Sequence, residues 1–402
     1  LLIMFPVLAL AQINTDRVMA IGRNALYFED YVLSIQYFNQ VINAKPYLSD
    51  PYFYRGLAKI NLDDFQGAES DCSEAIERNP FVVSAYQVRG LARIQQNNFA
   101  GAIEDYTKAL EFDPENIGVW HNMALCRIRQ EDYKGAKNDL DKLIAISPRY
   151  TKAYLMRGEV DLKQKDTLAA EKDFGKAIEI DRYDADTWAS RAILRLQQQR
   201  YKDAEADFDH AIRLSTRNSG VYINRALARY HQNNLRGAMS DYDIALDIDP
   251  NNFIGHYNRG LLRAQVGDDN RAIQDFNFVI EMEPDNMMAI FNRGLLLDQT
   301  GDYKGAIKDY STVINEYPNF LLGYQYRAQA RRKIGDVKGA DADEFKVLKA
   351  QLDKQNGVDP NKQTADNTEN NKTRKKSDKN MNNYRKIVVA DNEEGEEKYK
   401  SD

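Results

Sequence analysis

Among the arginines followed by Gly or Ala, eight recur in one phase, Arg55, Arg89, Arg157, Arg191, Arg225, Arg259, Arg293 and Arg327, and every interval between them is 34 residues or twice that. Aspartates keep the same beat sixteen residues later, at Asp71, Asp105, Asp139, Asp173, Asp207, Asp241, Asp275, Asp309 and Asp343. A planar guanidinium suits two-point contact with a carboxylate better than an ammonium does. The two series therefore predict an internal ion pair in each period. Where the first period lacks the arginine, at Ile21, it also lacks the acid, at Tyr37, whereas Met123 opposite Asp139 breaks the match.

A second cationic series lies four residues further on: Arg93, Arg127, Arg195, Arg229, Arg263 and Arg331, with Lys59. Like charges at this helical spacing repel by roughly 0.2–0.5 kcal/mol unless neutralised. The aspartates are expected to satisfy the first series, leaving the second to reach solvent, a neighbouring acid or an anionic ligand. An anionic polymer or glycan would be favoured by a row of these six arginines without acid partners.

Other chemistry is not indicated. His121, His210, His231 and His256 stand at non-equivalent places in the period, without metal-ligand spacing, and no glycine-rich phosphate loop or nucleophile elbow occurs. The sequence thus predicts no catalytic, cofactor-binding or metal site. Cys72 and Cys126 fall in different periods on packed faces and are expected as reduced core residues. A net charge of -6 argues against a general nucleic-acid binder, which needs surplus cations to displace counterions.

The elements that position these groups follow from the same period. Ten 34-residue units begin at Thr15, Ser49, Val83, Ile117, Thr151, Ala185, Ser219, Phe253, Met287 and Leu321 without an insertion. Position 8 admits only Gly or Ala, and position 20 is Ala in nine units and Ser34 in the first. Small residues on two segments joined by a turn predict two antiparallel helices in close contact, with aromatics at positions 4 and 24 filling the space around them. Asn97-Asn98, Asn233-Asn234, Gly267-Asp268, Gly301-Asp302 and Gly335-Asp336 mark the turn between helices. Proline at position 32, as in Pro46, Pro80, Pro114, Pro148, Pro250, Pro284 and Pro318, separates one unit from the next. Repeats five and six have Arg182 and Thr216 there, and a local change of pitch is expected.

Aromatics at positions 4, 17 (Tyr31, Phe65, Phe99, Tyr133, Tyr201, Tyr303) and 24, small residues at 8, 20 and 27, and Pro at 32 together resemble the tetratricopeptide repeat. The resemblance runs from residue 15 to about 354. It implies an all-α fold, a right-handed superhelix (solenoid) of antiparallel helix pairs, with the first helix of each pair lining a concave groove. It also implies a protein or peptide partner. The family usually has Leu at position 7 and an aromatic at 23, so the Arg and Asp series are a departure.

By the resemblance, first-helix positions 2, 5, 9 and 12 face the groove. The candidates are Phe53, Leu57, Ile60, Gln87, Leu91, Ile94, His121, Leu125, Ile128, Tyr257, Leu261, Phe291 and Leu295, an apolar stripe suited to a helical or extended peptide. Packing between adjacent repeats is an equal use for position 9. Family members that clamp an acidic C-terminus use a Lys and Asn set on successive first helices; Asn122, Asn224, Asn258 and Asn292 at position 6 echo it only partly, and the clamp is not carried over.

Residues 1–11, LLIMFPVLALA, are too short to span a bilayer as a helix, which takes roughly 20 residues. Their length and Ala9-Leu10-Ala11 fit the remnant of a secretory signal cut before Gln12, predicting export to a bacterial periplasm or cell envelope. In the tenth repeat a charged second helix around Glu344, Lys346 and Lys349 is expected to run to about Gly357 with a polar outer face, as an end cap requires. Residues 355–402 lose periodicity and are expected as a disordered linker or tail. Within them YRKIVVA at 384–390 is a β-prone island that could add a strand to a partner, although linker is the simpler use. The function expected is that of a non-enzymatic scaffold binding a protein or peptide. A recognition module of a longer envelope protein or enzyme, and the anion binder, are the alternatives.

Overall fold

The computed structural model describes residues 14–214, 217–356, 381 and 383–387. Among these the ten repeats form twenty α-helices. The first helices of the repeats are α1 (Thr15–Tyr27), α3 (Asp50–Ile60), α5 (Val83–Gln95), α7 (Ile117–Arg129), α9 (Thr151–Lys163), α11 (Ala185–Gln197), α13 (Ser219–His231), α15 (Phe253–Gln265), α17 (Met287–Thr300) and α19 (Leu321–Lys333). The second helices are α2 (Tyr31–Ala44), α4 (Phe65–Arg78), α6 (Phe99–Phe112), α8 (Tyr133–Ile146), α10 (Thr167–Ile180), α12 (Tyr201–Arg213), α14 (Leu235–Ile248), α16 (Asp269–Met282), α18 (Tyr303–Glu316) and α20 (Val337–Gln355).

Each helix pair is built on its small residues. All nine alanines at position 20, from Ala68 to Ala340, are fully buried, as is Ser34 in the first repeat. At position 8 a Cβ on Gly158 would stand 2.6 Å from the Phe174 ring, and one on Gly90 would stand 2.8 Å from Tyr106. The ring at position 24 therefore occupies the room that the small residue leaves, which is the large-beside-small packing the period predicts.

The turn between helices is repeated in detail. Position 15 has positive φ in all ten repeats, as glycine at Gly267, Gly301 and Gly335, but also as Glu29, Asp63, Asn97, Glu131, Lys165, Gln199 and Asn233. The sequence marks only the glycines and asparagines as suited to this conformation. Charged side chains are tolerated because hydrogen bonds fix the backbone on the far side, for example from Asp64 N to Lys59 O and from Asp166 N to Asp161 O. Position 16 then caps the second helix, the carboxylate of Asp64, Asp132, Asp166 or Asp336 accepting from the backbone N–H three residues on.

The chain divides into two compact units between Tyr183 and Asp184, beside Arg182 where the proline is missing. Helix α10 still ends at Ile180, its last turn closed by Asp181 N on Ala177 O, so proline is not what stops it. Thr216 and the apolar residues 1–11 lie outside the described residues. Cys72 and Cys126 are buried and unbridged, and burial pushes both thiols up to about 12. Helix α20 runs to Gln355, near its expected end, but its outer face is less polar than expected because Phe345, Leu348 and Leu352 are exposed. Among the described residues no helix is long and apolar enough to cross a membrane.

Candidate functional site

In all eight repeats that carry it, the position-7 arginine reaches the buried aspartate at position 23 of its own repeat, at 2.5–2.9 Å. The residues lie opposite each other because the helices cross between positions 8 and 20. In seven of them another guanidinium nitrogen reaches back to the preceding repeat, onto Asn39, Ser73, Asp141, Asp209, Asp243, Asn277 or Ser311. Six of the eight also lie over the aromatic at position 4, 5.1–5.7 Å from its centroid. The series thus joins helix to helix and repeat to repeat.

The second arginine series is neutralised as well. Arg93, Arg195, Arg229, Arg263 and Arg331 each donate to the aspartate already held by position 7, at 2.7–3.0 Å. Arg127 reaches Asp139 at 2.7 Å and Asp132 at 2.9 Å, and Lys59 reaches Asp71 at 2.9 Å. Arg93 and Arg229 add Glu69 and Glu205 from the preceding repeat, each at 2.8 Å. The row of acid-free guanidiniums that an anionic polymer or glycan would require is therefore not formed. Five of the aspartates, Asp105, Asp207, Asp241, Asp275 and Asp343, accept from both arginines, which the pairwise expectation leaves out.

The fourth repeat lacks one member of this triplet. Met123 occupies position 7, and Asp139 is left with Arg127 alone; burial drives its carboxyl up to about 6. Burial raises Asp105 and Asp241 in the same direction against two guanidiniums each. Asp275 is the opposite case: burial opposes its ionisation, but His256, Arg259 and Arg263 together hold it below the ordinary carboxylate range.

The apolar stripe divides into two behaviours. In the first unit, Phe53, Leu57, Ile60 and Leu91 pack in one cluster between the second and third repeats, and Ile94 is buried beside Tyr106 and Met123. Leu125 and Ile128 pack with α8 and α9, Gln87 is half-buried, and His121 is fully buried with Nδ1 3.3 Å from Tyr150 Oη. His121 is thus enclosed by the entry to the next repeat and offers no ligand surface, unlike its position-5 assignment. Packing between repeats consumes most of this part of the stripe.

In the second unit the same positions carry a chain segment. Met381 is 2% exposed and lies in a cluster with Ile290, Phe291, Phe320 and Ala330, with Leu295 at its margin. Three residues on, Tyr384 sets its ring edge-on to Phe291 with centroids 4.9 Å apart. Its carbonyl accepts from Tyr257 Oη at 2.7 Å and from Asn292 Nδ2 at 2.6 Å. Three residues further, Ile387 is 7% exposed in a cluster with Ala189, Leu227 and, at the edge, Leu261. Burial pushes the Tyr257 phenol up, which keeps it a proton donor. The segment therefore runs from α17 and α19 towards α11 and α13.

Tyr257, Leu261, Phe291 and Leu295 were the groove candidates brought together here. Asn292, only a partial echo of the acid-clamp set, holds a main-chain carbonyl with its amide while also donating to Met288 O at 2.9 Å. Its signal was the 34-residue recurrence of Asn224, Asn258 and Asn292 on an otherwise apolar face, all three buried. At Met381 and residues 383–387 apolar side chains of the tail meet this face; the rest of 357–402 lies outside the described residues.

Models of the tetratricopeptide repeat match residues 90–126, 117–150, 151–184, 190–253 and 257–319, together more than half of the chain. No curated protein matches. Among solved structures, a tetratricopeptide repeat protein from Parabacteroides merdae is 21% identical with a TM-score of 0.48, covering 62% of this chain and 98% of its own. The C-terminal part of a TPR repeat-containing protein from Cytophaga hutchinsonii is 15% identical with a TM-score of 0.47, covering 68% and 98%. YrrB, described as a TPR protein with an unusual peptide-binding site, is 20% identical with a TM-score of 0.39, covering 46% and 95%. With the period, the helix pairs and the family-model matches in agreement, the chain belongs to the tetratricopeptide repeat family.

Proposed function

We propose that this protein is an exported, non-catalytic scaffold whose second unit binds a protein or peptide segment on the face of its first helices. The observation that carries this is the double hydrogen bond from Tyr257 and Asn292 to the Tyr384 carbonyl, flanked by apolar contacts. Donors aimed at a main-chain carbonyl, with apolar surface on either side, are what recognition of a peptide by its backbone needs. All four histidines support a structural use, since they stack or bond within the repeats: His121 on Tyr150, His210 on Trp188, His231 on Tyr201 and His256 on Phe278.

Selection of displayed random peptides on the full chain tests the site. Binders should lose at least tenfold affinity with Asn292→Ala and with Phe291→Ala, measured by fluorescence polarisation on variants with unchanged circular dichroism. Binders indifferent to both substitutions would remove this face as the site. Export rests on the apolar run ending in Ala9-Leu10-Ala11. Intact-mass measurement on protein recovered from the cell envelope should find a chain starting at Gln12, and an unprocessed cytosolic chain would contradict it.

A further inference from the structure

We infer that Met381 and residues 383–387 are the resident ligand of the second unit's peptide face, docked in cis, and that an external segment binds there only by displacing them. This rests on the peptide-binding assignment above and adds to it an occupant, a ligand pattern and a means of regulation.

Three anchors at a three-residue spacing define the occupant. Met381 and Ile387 are buried at the two ends, and Tyr384 between them offers both a ring to Phe291 and a carbonyl to two donors. Backbone hydrogen bonds from Tyr384 N to Met381 O and from Lys386 N to Asn383 O fold the first part into consecutive tight turns, which brings these side chains to one side. Arg385 and Lys386 are exposed, so their charges stay in water while the apolar residues are covered. The docked pattern is thus Met-x-x-Tyr-x-x-Ile, with polar residues between the anchors.

The pattern is specific to this part of the tail. Residues 357–380 hold no aromatic, Met, Leu or Ile, so no other register between α20 and the site supplies the same three anchors. The site is matched to it: Ala189 at position 5 is small where Tyr257 and Phe291 are large in later repeats, and Ile387 lies in the cluster of that alanine. Residues 356–380 can span roughly 80 Å when extended, ample for the return of the chain onto its own helices. Tethering of this kind gives an effective concentration on the order of millimolar, which a free peptide has to exceed.

The probe for the test is a fluorescein-labelled synthetic peptide of residues 378–390, titrated into the full chain and into the full-length triple variant Met381→Ser/Tyr384→Ala/Ile387→Ser. The variant should bind the probe at least tenfold more tightly than the unaltered chain, and adding Asn292→Ala should weaken that binding at least tenfold. The three tail substitutions lie outside the twenty helices of the repeats, and circular dichroism should confirm an unchanged array. Equal affinity of the probe for both chains, or no binding to the triple variant, would overturn the inference. Sedimentation equilibrium separates cis from trans: concentration-dependent dimers that vanish in the triple variant would place the segment on a second copy and overturn cis docking. Display-selected peptides keep the two levels apart. If they need Asn292 yet bind both chains equally, the peptide face stands and displacement falls; if they ignore Asn292, the face itself falls.

Discussion

Asp241→Asn should destabilise the second unit by about 3 kcal/mol, because it leaves two half-buried guanidiniums around a neutral amide. Asp241 is 1% exposed and accepts from Arg225 at 2.6 and 3.0 Å and from Arg229 at 2.9 Å. The arginines keep secondary partners, Asp209 at 2.7 Å for Arg225 and Glu205 at 2.8 Å for Arg229, which limit the loss. Arg225→Leu should cost less, about 2 kcal/mol, since Arg229 still neutralises the acid. Joining it to Asp241→Tyr restores the pairing usual in the family at positions 7 and 23 but leaves Arg229 with Glu205 and, at 3.9 Å, Asp209 in place of its closest buried acid, so recovery should be partial. Hydrogen exchange of α13 and α14 amides with urea unfolding measures all three. Equal losses for Asp241→Asn and Arg225→Leu, with full recovery in the double variant, would mean that the unit is a pair and Arg229 is idle.

Met123→Arg should have the opposite effect, completing the triplet of the fourth repeat. Asp139 titrates at about 6 in the folded chain against an ordinary value of 3.8. A folded value above the unfolded one means that the native state binds the extra proton. Stability is therefore full below pH 3.8 and falls as pH rises towards and through 6, by on the order of 2–3 kcal/mol. An arginine at position 123 would reach Asp139 as Arg89 reaches Asp105, with Thr107 standing where Ser73 accepts from Arg89. It lowers the Asp139 carboxyl and removes the loss above pH 4, against the cost of burying part of a guanidinium. The variant should be more stable by about 1–2 kcal/mol at pH 7, with the advantage shrinking or reversing near pH 4. Urea midpoints at the two pH values, with exchange of α7 and α8 amides, check this. An unchanged pH dependence would show that Asp139 is not the group responsible.

Much of the molecule is legible in its sequence because the information is local and repeated. Gly or Ala at position 8, Ala at 20 and a ring at 24 can be satisfied together only by helices in close antiparallel contact, and ten copies repeat that statement. The pairing of Arg259 with Asp275 was legible for the same reason, since both lie within one repeat and vary together with Ile21 and Tyr37. The second role of Asp275 was not. Acceptance from Arg263 and His256 as well depends on side-chain reach across the crossing, which a 34-residue period does not encode. Positive φ at Lys165 or Gln199 was likewise hidden, because hydrogen bonds on both sides of the turn outweigh the preference of the residue itself.

By itself, the sequence determined the helix pair, its turn, its close crossing and its ion pair, all of which depend on residues within about 34 positions of one another. Only the tertiary structure decided which stripe residues remain for a ligand. In the first unit Leu57 and Leu91 are consumed between repeats, whereas in the second Tyr257, Asn292 and Phe291 meet a segment up to 127 residues away in the chain. Contacts of that separation have no period to announce them. They form because a polar tail contains three apolar residues at a spacing that fits one face, and burying them there, with the carbonyl satisfied, is more favourable than leaving them in water.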